Sequence, residues 1–592
     1  MRRGNGGALG PQLLLRLSAS MSEHFLLHSA LSCPGDRGGL FEGLWVRGRR
    51  AGFLALLLAV VLPAGRQDAH AAPASDSSGA PTKYWVFFED RPRAAASGPA
   101  RWTQPVAASY VDRLRARGAR PLVRSRWFHA VSVRLSPPLR RTVAALPFVR
   151  RIRPVASLAT LQAPARAPSS VSLAASPVLR PSASPSPPAV GALRGPLRRI
   201  HALPPLARGL SGRGVRLGFL DAHFAGLRHP AFSTLRAEGR LAALRSFTER
   251  RQGGTHGFGV ASVAAGYDAG ALVGPAYGAT LLGATTEYTQ FERNVEEDNF
   301  VAGLEWLHRR GADVVNVSIG YTTFDEGQRS YAPADLDGDT ALTTRAVDRA
   351  AQLGVTVVVS AGNSGCAAPD SCWYYVNTPA DADSAIAVGA VAPDSSLAAF
   401  SARGPTADGR RKPDVLVQGR RVAAAWKNGG YAQVGGTSFA SPQVAGIAAQ
   451  MLQVNPSLGP IEVRRLLRQT AGQAHAPDTT RGWGIVNADA ALRRAEWQAR
   501  RSPPPALHLS RPYRSLSDSS LVVPVSAPSH TTFLQVSLFT PLGRRVHRTR
   551  HAGHPGPNRL SLNTSSLPPG RYRCVVTSDR NARATDTFTL PQ

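Results

Sequence analysis

Five stretches of this chain, residues 214–220, 280–284, 314–318, 355–360 and 385–389, are almost uninterrupted apolar runs. A strand that reads this way is buried on both faces, which means a parallel sheet with other layers above and below it. Helical patterns at 257–265, 298–309 and 342–353 fall between several of the runs and can supply those layers. The expected fold class is therefore α/β, with a parallel sheet and helices on both faces. Ligand sites in such sheets form at the carboxyl ends of strands. The residues that close the runs become the first candidates for chemistry: Asp221, Ser318 and the turn Ala361-Gly362-Asn363.

The rest of the chain divides around this sheet. Arg47-Gly-Arg-Arg50 precedes an apolar run at 51–64, and Ala69-His70-Ala71 offers a small-x-small cleavage pattern. Together they read as a secretory signal peptide, too short in its apolar part for a comfortable membrane span. Residues 1–71 are the expected leader, with 1–46 an over-extended gene start. Residues 84–160 alternate between short strand and helix patterns in a strand-helix-strand-strand-helix-strand order, the split βαβ layout of a small α+β, ferredoxin-like module. A Pro/Ser/Ala-rich linker follows at 161–192, and the main domain spans 193–499. A second proline-rich linker at 500–515 leads to short alternating strands over 516–592, the pattern of a small β-sandwich.

Charge and cysteine content limit the partners. Formal net charge is +32, and of 70 basic side chains only Lys83, Lys412 and Lys427 are lysine. The arginines are spread along the sequence without a run of interleaved aromatics, which fits a general codon bias better than a nucleic-acid partner. Four cysteines are too few for a disulfide framework. Cys366 and Cys372 bracket a turn-rich loop, and one local disulfide is expected there in an exported protein. Cys574 reads as a buried thiol.

The catalytic signals are individually weak. Ser438 stands in Gly435-Gly436-Thr437-Ser438-Phe439-Ala440-Ser441-Pro442, ahead of the small-residue run Val444-Ala-Gly-Ile-Ala-Ala449. Two glycines permit a tight turn, and the small residues permit a closely packed helix behind it. His256 lies in the glycine-rich segment 253–261, Asp221 ends a buried strand, and Asn363 follows another. A serine hydroxyl attacks only when an imidazole takes its proton, and the imidazole needs a carboxylate to fix its tautomer. The oxyanion then needs donors. All four groups occur here in the order acid, base, amide, nucleophile.

These residues resemble the subtilisin-like serine proteases, the subtilases of peptidase family S8. Gly436-Thr-Ser-Phe-Ala-Ser-Pro442 is similar to that family's nucleophile motif, His256-Gly257 with Val260-Ala261 to its histidine motif, and Ser360-Ala-Gly-Asn363 to its oxyanion segment. The acid-base-serine order is the family's own. The resemblance implies a secreted endopeptidase with Ser438 as nucleophile, His256 as general base and acid, and Asp221 as orienting carboxylate. It implies an oxyanion donor at Asn363, a cleft edge at Ser318-Ile319-Gly320, and a first specificity pocket at Ser360-Ala361-Gly362 with room for a large apolar side chain. The 84–160 module would be an inhibitory and chaperoning propeptide, so that the protein is made as an autoprocessed zymogen. Residues 296–320 resemble secreted subtilases of Bacteroidota-type bacteria, and segments 542–546 and 567–572 resemble type IX sorting domains. Expected partners are protein or peptide substrates and the chain's own propeptide, with no nucleic acid and no integral membrane segment, on a monomer at the cell surface or outside it. No cofactor is required by this chemistry. Asp335, Asp337 and Asp339 alternate like the opening of a calcium loop but lack the later bidentate glutamate, so a solvated turn is expected there and no metal ligand is assigned.

Two departures from the family pattern stand out. Asp221 is followed by Ala222-His223-Phe224 where a hydroxyl residue and glycine are usual, and Phe258 replaces a small hydroxyl residue after the histidine.

Overall fold

The computed structural model describes residues 82–89, 102–155, 189–248 and 254–590, except 289, 367–372, 502–505, 510–511, 515–519, 529–530, 555 and 580–581. The expected leader and residues 161–188 of the first linker lie outside the described residues.

The N-terminal module runs β1 (Thr82–Phe88), α1 (Ala108–Ala116), β2 (Pro121–Ser125), β3 (Ala130–Leu135), α2 (Pro137–Ala144) and β4 (Val149–Val155). Its sheet has the order β2-β3-β1-β4, with β1 antiparallel to both neighbours. The strand expected over 127–135 is shorter, because Trp127–His129 form a turn and His129 takes a positive φ of 48°. Strand alternation then gives the sheet two apolar faces. Val86, Phe88, Val131 and Val133 pack under Val111, Leu114 and Val143 of the two helices. Trp85, Phe87, Trp127 and Ala130 join a second core together with Phe300 and Leu304 of the central domain.

The central domain supplies β5 (Arg216–Asp221), β6 (Leu241–Ser246), α3 (His256–Ala265), β7 (Thr280–Thr285), α4 (Val295–Arg309), β8 (Val314–Val317), α5 (Leu342–Gln352), β9 (Thr356–Ser360), β10 (Ile386–Val391) and β11 (Val415–Gln418). A hairpin, β12 (Arg420–Ala425) with β13 (Tyr431–Gly435), leads into α6 (Ser441–Val454), α7 (Pro460–Thr470) and α8 (Ala488–Arg501). The seven-stranded sheet has the order β11-β10-β9-β8-β5-β7-β6, and all of its pairings are parallel. All five expected strands are present, and β6 and β11 extend the sheet at its two edges. Strand order reverses between β5 and β8. That reversal opens a crevice at the carboxyl ends of these two strands, where Asp221 and Ser318 stand. Helix α6 runs behind the sheet with Val444, Ala445, Ile447, Ala448 and Ala449 fully buried.

The C-terminal module is a two-sheet sandwich of β14 (Leu521–Ala527), β15 (Phe533–Phe539), β16 (Arg545–Ala552), β17 (Gly556–Leu562), β18 (Gly570–Ser578) and β19 (Arg583–Leu590). One sheet pairs β14 with β17, and the other has the order β16-β15-β18-β19. Its core, built from residues such as Val523, Leu534, Val536, Leu560 and Val576, contains no side chain of the central domain. Strand β16 reads Arg-Val-His-Arg-Thr-Arg-His-Ala, and its lack of apolar alternation hid it from a reading by pattern.

Candidate active site

Asp221 ends β5 and is fully buried. An isolated carboxylate there would cost several kcal/mol. Its Oδ1 accepts from the main-chain N–H of Ala222 at 2.7 Å and meets Nδ1 of His256 at 2.6 Å. His256 opens α3, and the first turn of that helix lies directly on the end of β5. Phe258 N donates to the His223 carbonyl at 3.0 Å, and a Cβ on Gly257 would lie 2.4 Å from that same oxygen. Only glycine permits that approach, which sets the imidazole beside the carboxylate.

The two departures from the family pattern pack against each other. The Phe258 ring covers Gly226 in the loop beyond Asp221, where an added Cβ would sit 2.3 Å from the ring. His223 is buried in the same place, against Gly254. Burial pushes its pKa down, against the upward pull of the Asp221 charge, and His256 adds to the lowering. The altered turn thus has its own packing and leaves the Asp221 carboxylate facing His256. For His256, burial alone would lower the pKa, but the charge and the hydrogen bond of Asp221 outweigh it and hold the imidazole above its ordinary value. The His256 side chain keeps 36% of its surface open while that of Asp221 keeps none.

The β12–β13 hairpin delivers the serine. Gly436 has φ 138°, a conformation that disfavours side chains, and Thr437–Phe439 form a 3₁₀ turn before α6 begins at Ser441. Ser438 therefore sits on the turn ahead of the helix and not on the helix itself. Its Oγ donates to the Ser318 carbonyl at 3.1 Å, and the Ser318 hydroxyl donates to the Ser438 carbonyl at 2.9 Å. Asn316 Nδ2 donates to Ser318 Oγ at 2.8 Å, which locks the end of β8 to the serine turn. The Phe439 ring stands edge-on to the His256 ring, centroids 5.5 Å apart, so the serine turn and the imidazole are neighbours.

Asn363 follows β9. Its Oδ1 accepts from Thr437 N at 2.8 Å and from Thr437 Oγ1 at 2.9 Å, which leaves the amide nitrogen as the outward group. Gly362 N donates to the same Thr437 hydroxyl at 3.2 Å. Ser360 ends β9, and Ala361, which follows it, donates its N–H to Val388 O at 2.9 Å. Ser318, Ile319 and Gly320 lead from β8 into a bridge in which Tyr321 and Thr378 exchange main-chain hydrogen bonds of 2.8 and 3.2 Å. Between these two segments lies Asn377. A Cβ on Gly362 would be 2.6 Å from its Oδ1, and one on Gly320 would be 3.0 Å from its Cβ. That Oδ1 is buried and has no hydrogen-bond partner among the described residues. The space beside Gly362 therefore has a polar wall.

Sequence reasoning missed Asn316, Thr437 and Asn377. Asn316 carried a signal, as a polar residue inside the buried run 314–318, whereas Asn377 joins the site only through the fold.

Cys366 is disulfide-bonded, while Cys372 and Cys33 lie outside the described residues. Cys574 is a buried free thiol whose pKa burial pushes up to about 12. In the aspartate loop, Asp337 accepts from Asp339 N, Thr340 N and Thr340 Oγ1 at 2.9, 2.7 and 2.8 Å, and Asp335 accepts from Ala332 N at 2.8 Å. These carboxylates serve their own backbone as turn and cap. A different acidic group lies near Asp221. The Glu287 pKa is pushed up to about 8 by burial first and then by Glu292, and that of Glu292 up to about 7 by burial and Asp325. Tyr321 donates to Glu287 at 2.6 Å. Glu296, whose pKa is also well raised, accepts from Tyr288 N and Arg293 N at 2.7 and 2.8 Å at the start of α4.

A parallel α/β sheet that brings a serine, a histidine and a buried aspartate to one end of its strands defines the class of serine hydrolases. Within that class the chain belongs to the subtilisin-like serine proteases. The subtilase family model matches residues 242–484, and a model of the S8 peptidase propeptide domain of Bacteroidota matches residues 103–170. Subtilisin DY of Bacillus licheniformis is 32% identical over 293 residues, which cover 48% of this chain and 94% of that protein. Subtilisin Savinase of Lederbergia lenta is 30% identical over 50% of this chain and 97% of that one. Among solved structures, fervidolysin from Fervidobacterium pennivorans, a keratinolytic enzyme related to subtilisin, shares the fold with a TM-score of 0.51 at 18% identity, over 88% of this chain and 92% of its own. The protein is a serine-type peptidase with an S8 propeptide domain. Among the described residues no helix is long and apolar enough to cross a membrane.

Proposed function

We propose that this protein is an exported endopeptidase, made as a zymogen, that cleaves peptide bonds by acyl transfer through Ser438. The observation that carries the reading is the 2.6 Å contact between buried Asp221 and His256 beside the serine turn. Ser438 Oγ, which rests on the Ser318 carbonyl, turns to the imidazole to lose its proton as it attacks the scissile carbonyl. His256 takes the proton, Asp221 balances the imidazolium, and His256 then passes the proton to the leaving amine. The Asn363 amide nitrogen and the main-chain N–H of Ser438 stabilise the oxyanion, a donor of this kind being worth about 10²–10³ in rate. Substrate backbone pairs with Ser318-Ile319-Gly320 as an added strand, and the side chain before the scissile bond enters the space beside Ser360-Ala361-Gly362. The 84–160 module is the inhibitor, removed by a cut between it and the catalytic domain. The C-terminal sandwich serves export as a sorting module, on the resemblance of its 542–546 and 567–572 segments.

The test is casein hydrolysis by purified protein with and without a serine-directed phosphonylating reagent, alongside Ser438→Ala. Activity blocked by the reagent and absent from the variant is the expected result, as is retention of the uncut N-terminal module by the variant on a denaturing gel. Equal hydrolysis by both proteins would overturn the assignment.

A further inference from the structure

Six of the arginines that seem scattered in the sequence are gathered by the fold on one surface. On the β16-β15-β18-β19 sheet, pleating sends Arg545, Arg548, Arg550, Arg571, Arg573 and Arg583 to the face turned away from the sandwich core, and all six are exposed. Their register makes a lattice. Arg550 stands opposite Gln535, Thr577 and Arg583 follow in the same row, and the next row but one holds Arg545, Phe539 and Arg573. Among the described residues no outward position of these four strands is acidic, and Asp579, just past the end of β18, is occupied by the main-chain N–H and hydroxyl of Thr532. Like charges at neighbouring positions of a sheet destabilise it, so the absence of carboxylates calls for a reason. Protection of an exposed edge by charge explains Arg545, Arg548 and Arg550 on edge strand β16. It does not explain Arg571 and Arg573 on the interior strand β18.

We propose that this face binds a linear acidic polysaccharide and holds the protease on a matrix of such chains. Strands about 4.8 Å apart, with outward residues about 6.7 Å apart along each, let one extended polymer reach several guanidinium groups at once. Each guanidinium can grip a carboxylate or sulfate with two parallel hydrogen bonds. Arg548 is already steadied by bonds of 3.0 and 2.7 Å to Gln535. The two aromatic rings of the face are covered, Phe533 by Arg550 at 3.4 Å and Phe539 by Arg573 at 5.0 Å. Single-stranded nucleic acid would need bare rings for its bases to stack on. A membrane surface would need apolar side chains to insert from the face. On the face itself Val575 is buried, and the exposed Leu542, 97% open, belongs to the turn between β15 and β16 and not to a strand of the face.

The experiment uses the full chain with Ser438→Ala, so that it stays uncut, and heparin as the probe. Heparin is expected to bind with an affinity that falls steeply with salt. The variant Arg548→Gln/Arg571→Gln/Arg573→Gln should lose at least about tenfold at 0.15 M salt, with a shallower salt dependence, the ion pairs lost being charge-assisted. A control that removes three exposed arginines elsewhere, Arg113→Gln/Arg117→Gln/Arg141→Gln, should stay within about twofold, since surface charges beyond a Debye length of the site are screened. Should the triple variant lose the unfolding transition of its C-terminal module, single Arg571→Gln and Arg573→Gln variants are read instead, each about threefold weaker. Equal loss in the control, no loss in the β18 variants, or tighter binding to duplex DNA or phosphatidylglycerol vesicles than to heparin would each overturn the proposal.

Discussion

At the scale of single residues the site depends on how Asp221 and Asn377 are surrounded. The Asp221 carboxylate raises the pKa of His256 against the opposing effect of burial. General-base chemistry needs the neutral imidazole, so kcat/KM should rise with pH through a midpoint above the ordinary imidazole value of about 6.5. Asp221→Asn should move that midpoint down and lower kcat by about 10⁴, the general cost of losing a triad carboxylate. A pH profile of a chromogenic peptide measures both, and an unmoved midpoint would contradict the role given to Asp221. Asn377 makes a second case. With an apolar side chain in the neighbouring pocket its buried Oδ1 stays unpaired, at about 1–3 kcal/mol. Asn377→Ala should therefore raise kcat/KM for leucine relative to glutamine before the scissile bond by about tenfold. Parallel peptide assays would show whether the ratio moves. Asp221, His256, Asn363 and Ser438 were legible in the sequence because each lies in a glycine-marked segment or ends an apolar run. Asn377 was not, since nothing local distinguishes an asparagine that meets two glycines only after the sheet has formed.

At the scale of elements, α4 is the helix on which most depends. Asp298, on its first turn, is buried beneath the N-terminal module, where Lys83 pairs with it at 2.6 Å and the Trp85 indole N–H donates to it. Seven residues on, Glu305 accepts from Arg126 N at 3.1 Å and from the Ser125 hydroxyl. Removing one partner of a buried pair costs about 3–5 kcal/mol, because the other charge is left without compensation. Lys83→Ala in a separately expressed N-terminal module should weaken its inhibition of the mature protease by at least about 100-fold, read as a change in inhibition constant. The stretch that leads into α4 carries a buried carboxylate held by hydroxyls, Glu287, which accepts from Tyr321 and Thr286 at 2.6 and 2.9 Å. Glu287 titrates near 4.3 when unfolded and at about 8 in the folded chain, so the folded state holds its proton more tightly. That stabilisation is complete below the unfolded value and is lost as pH rises through about 8. Glu287→Gln should raise Tm by several degrees at pH 9 and leave it nearly unchanged at pH 5. Thermal melts at the two pH values decide it. The pattern of strands and helices around α4 was readable, but its acidic residues look like an ordinary solvated face until the packing against the N-terminal sheet is seen.

For the whole molecule, the three-part plan was legible because each part has its own period: alternation with short helices, apolar runs with helices, then alternation alone. Two edge strands escaped that reading for a physical reason. Strand β6, Leu-Ala-Ala-Leu-Arg-Ser, and strand β16 gain their pairing from one neighbour and have no doubly buried run to mark them. What the periods could not reveal is how the parts share their cores. Trp85, Phe87, Trp127 and Val155 of the N-terminal module belong to the same apolar cluster as Phe300, Leu304, Val315 and Val359 of the central sheet. The sandwich has a separate cluster and meets the central domain mainly where β17 packs on α8. Cooperative unfolding follows shared burial and not chain order. Calorimetry of full-length Ser438→Ala should therefore give two transitions, the N-terminal module melting together with the central domain and the sandwich on its own. Truncation after Arg501 should remove the second transition and leave the first within a few degrees. A single transition, or loss of both on truncation, would mean that the β17–α8 contact couples the cores far more strongly than its packing implies.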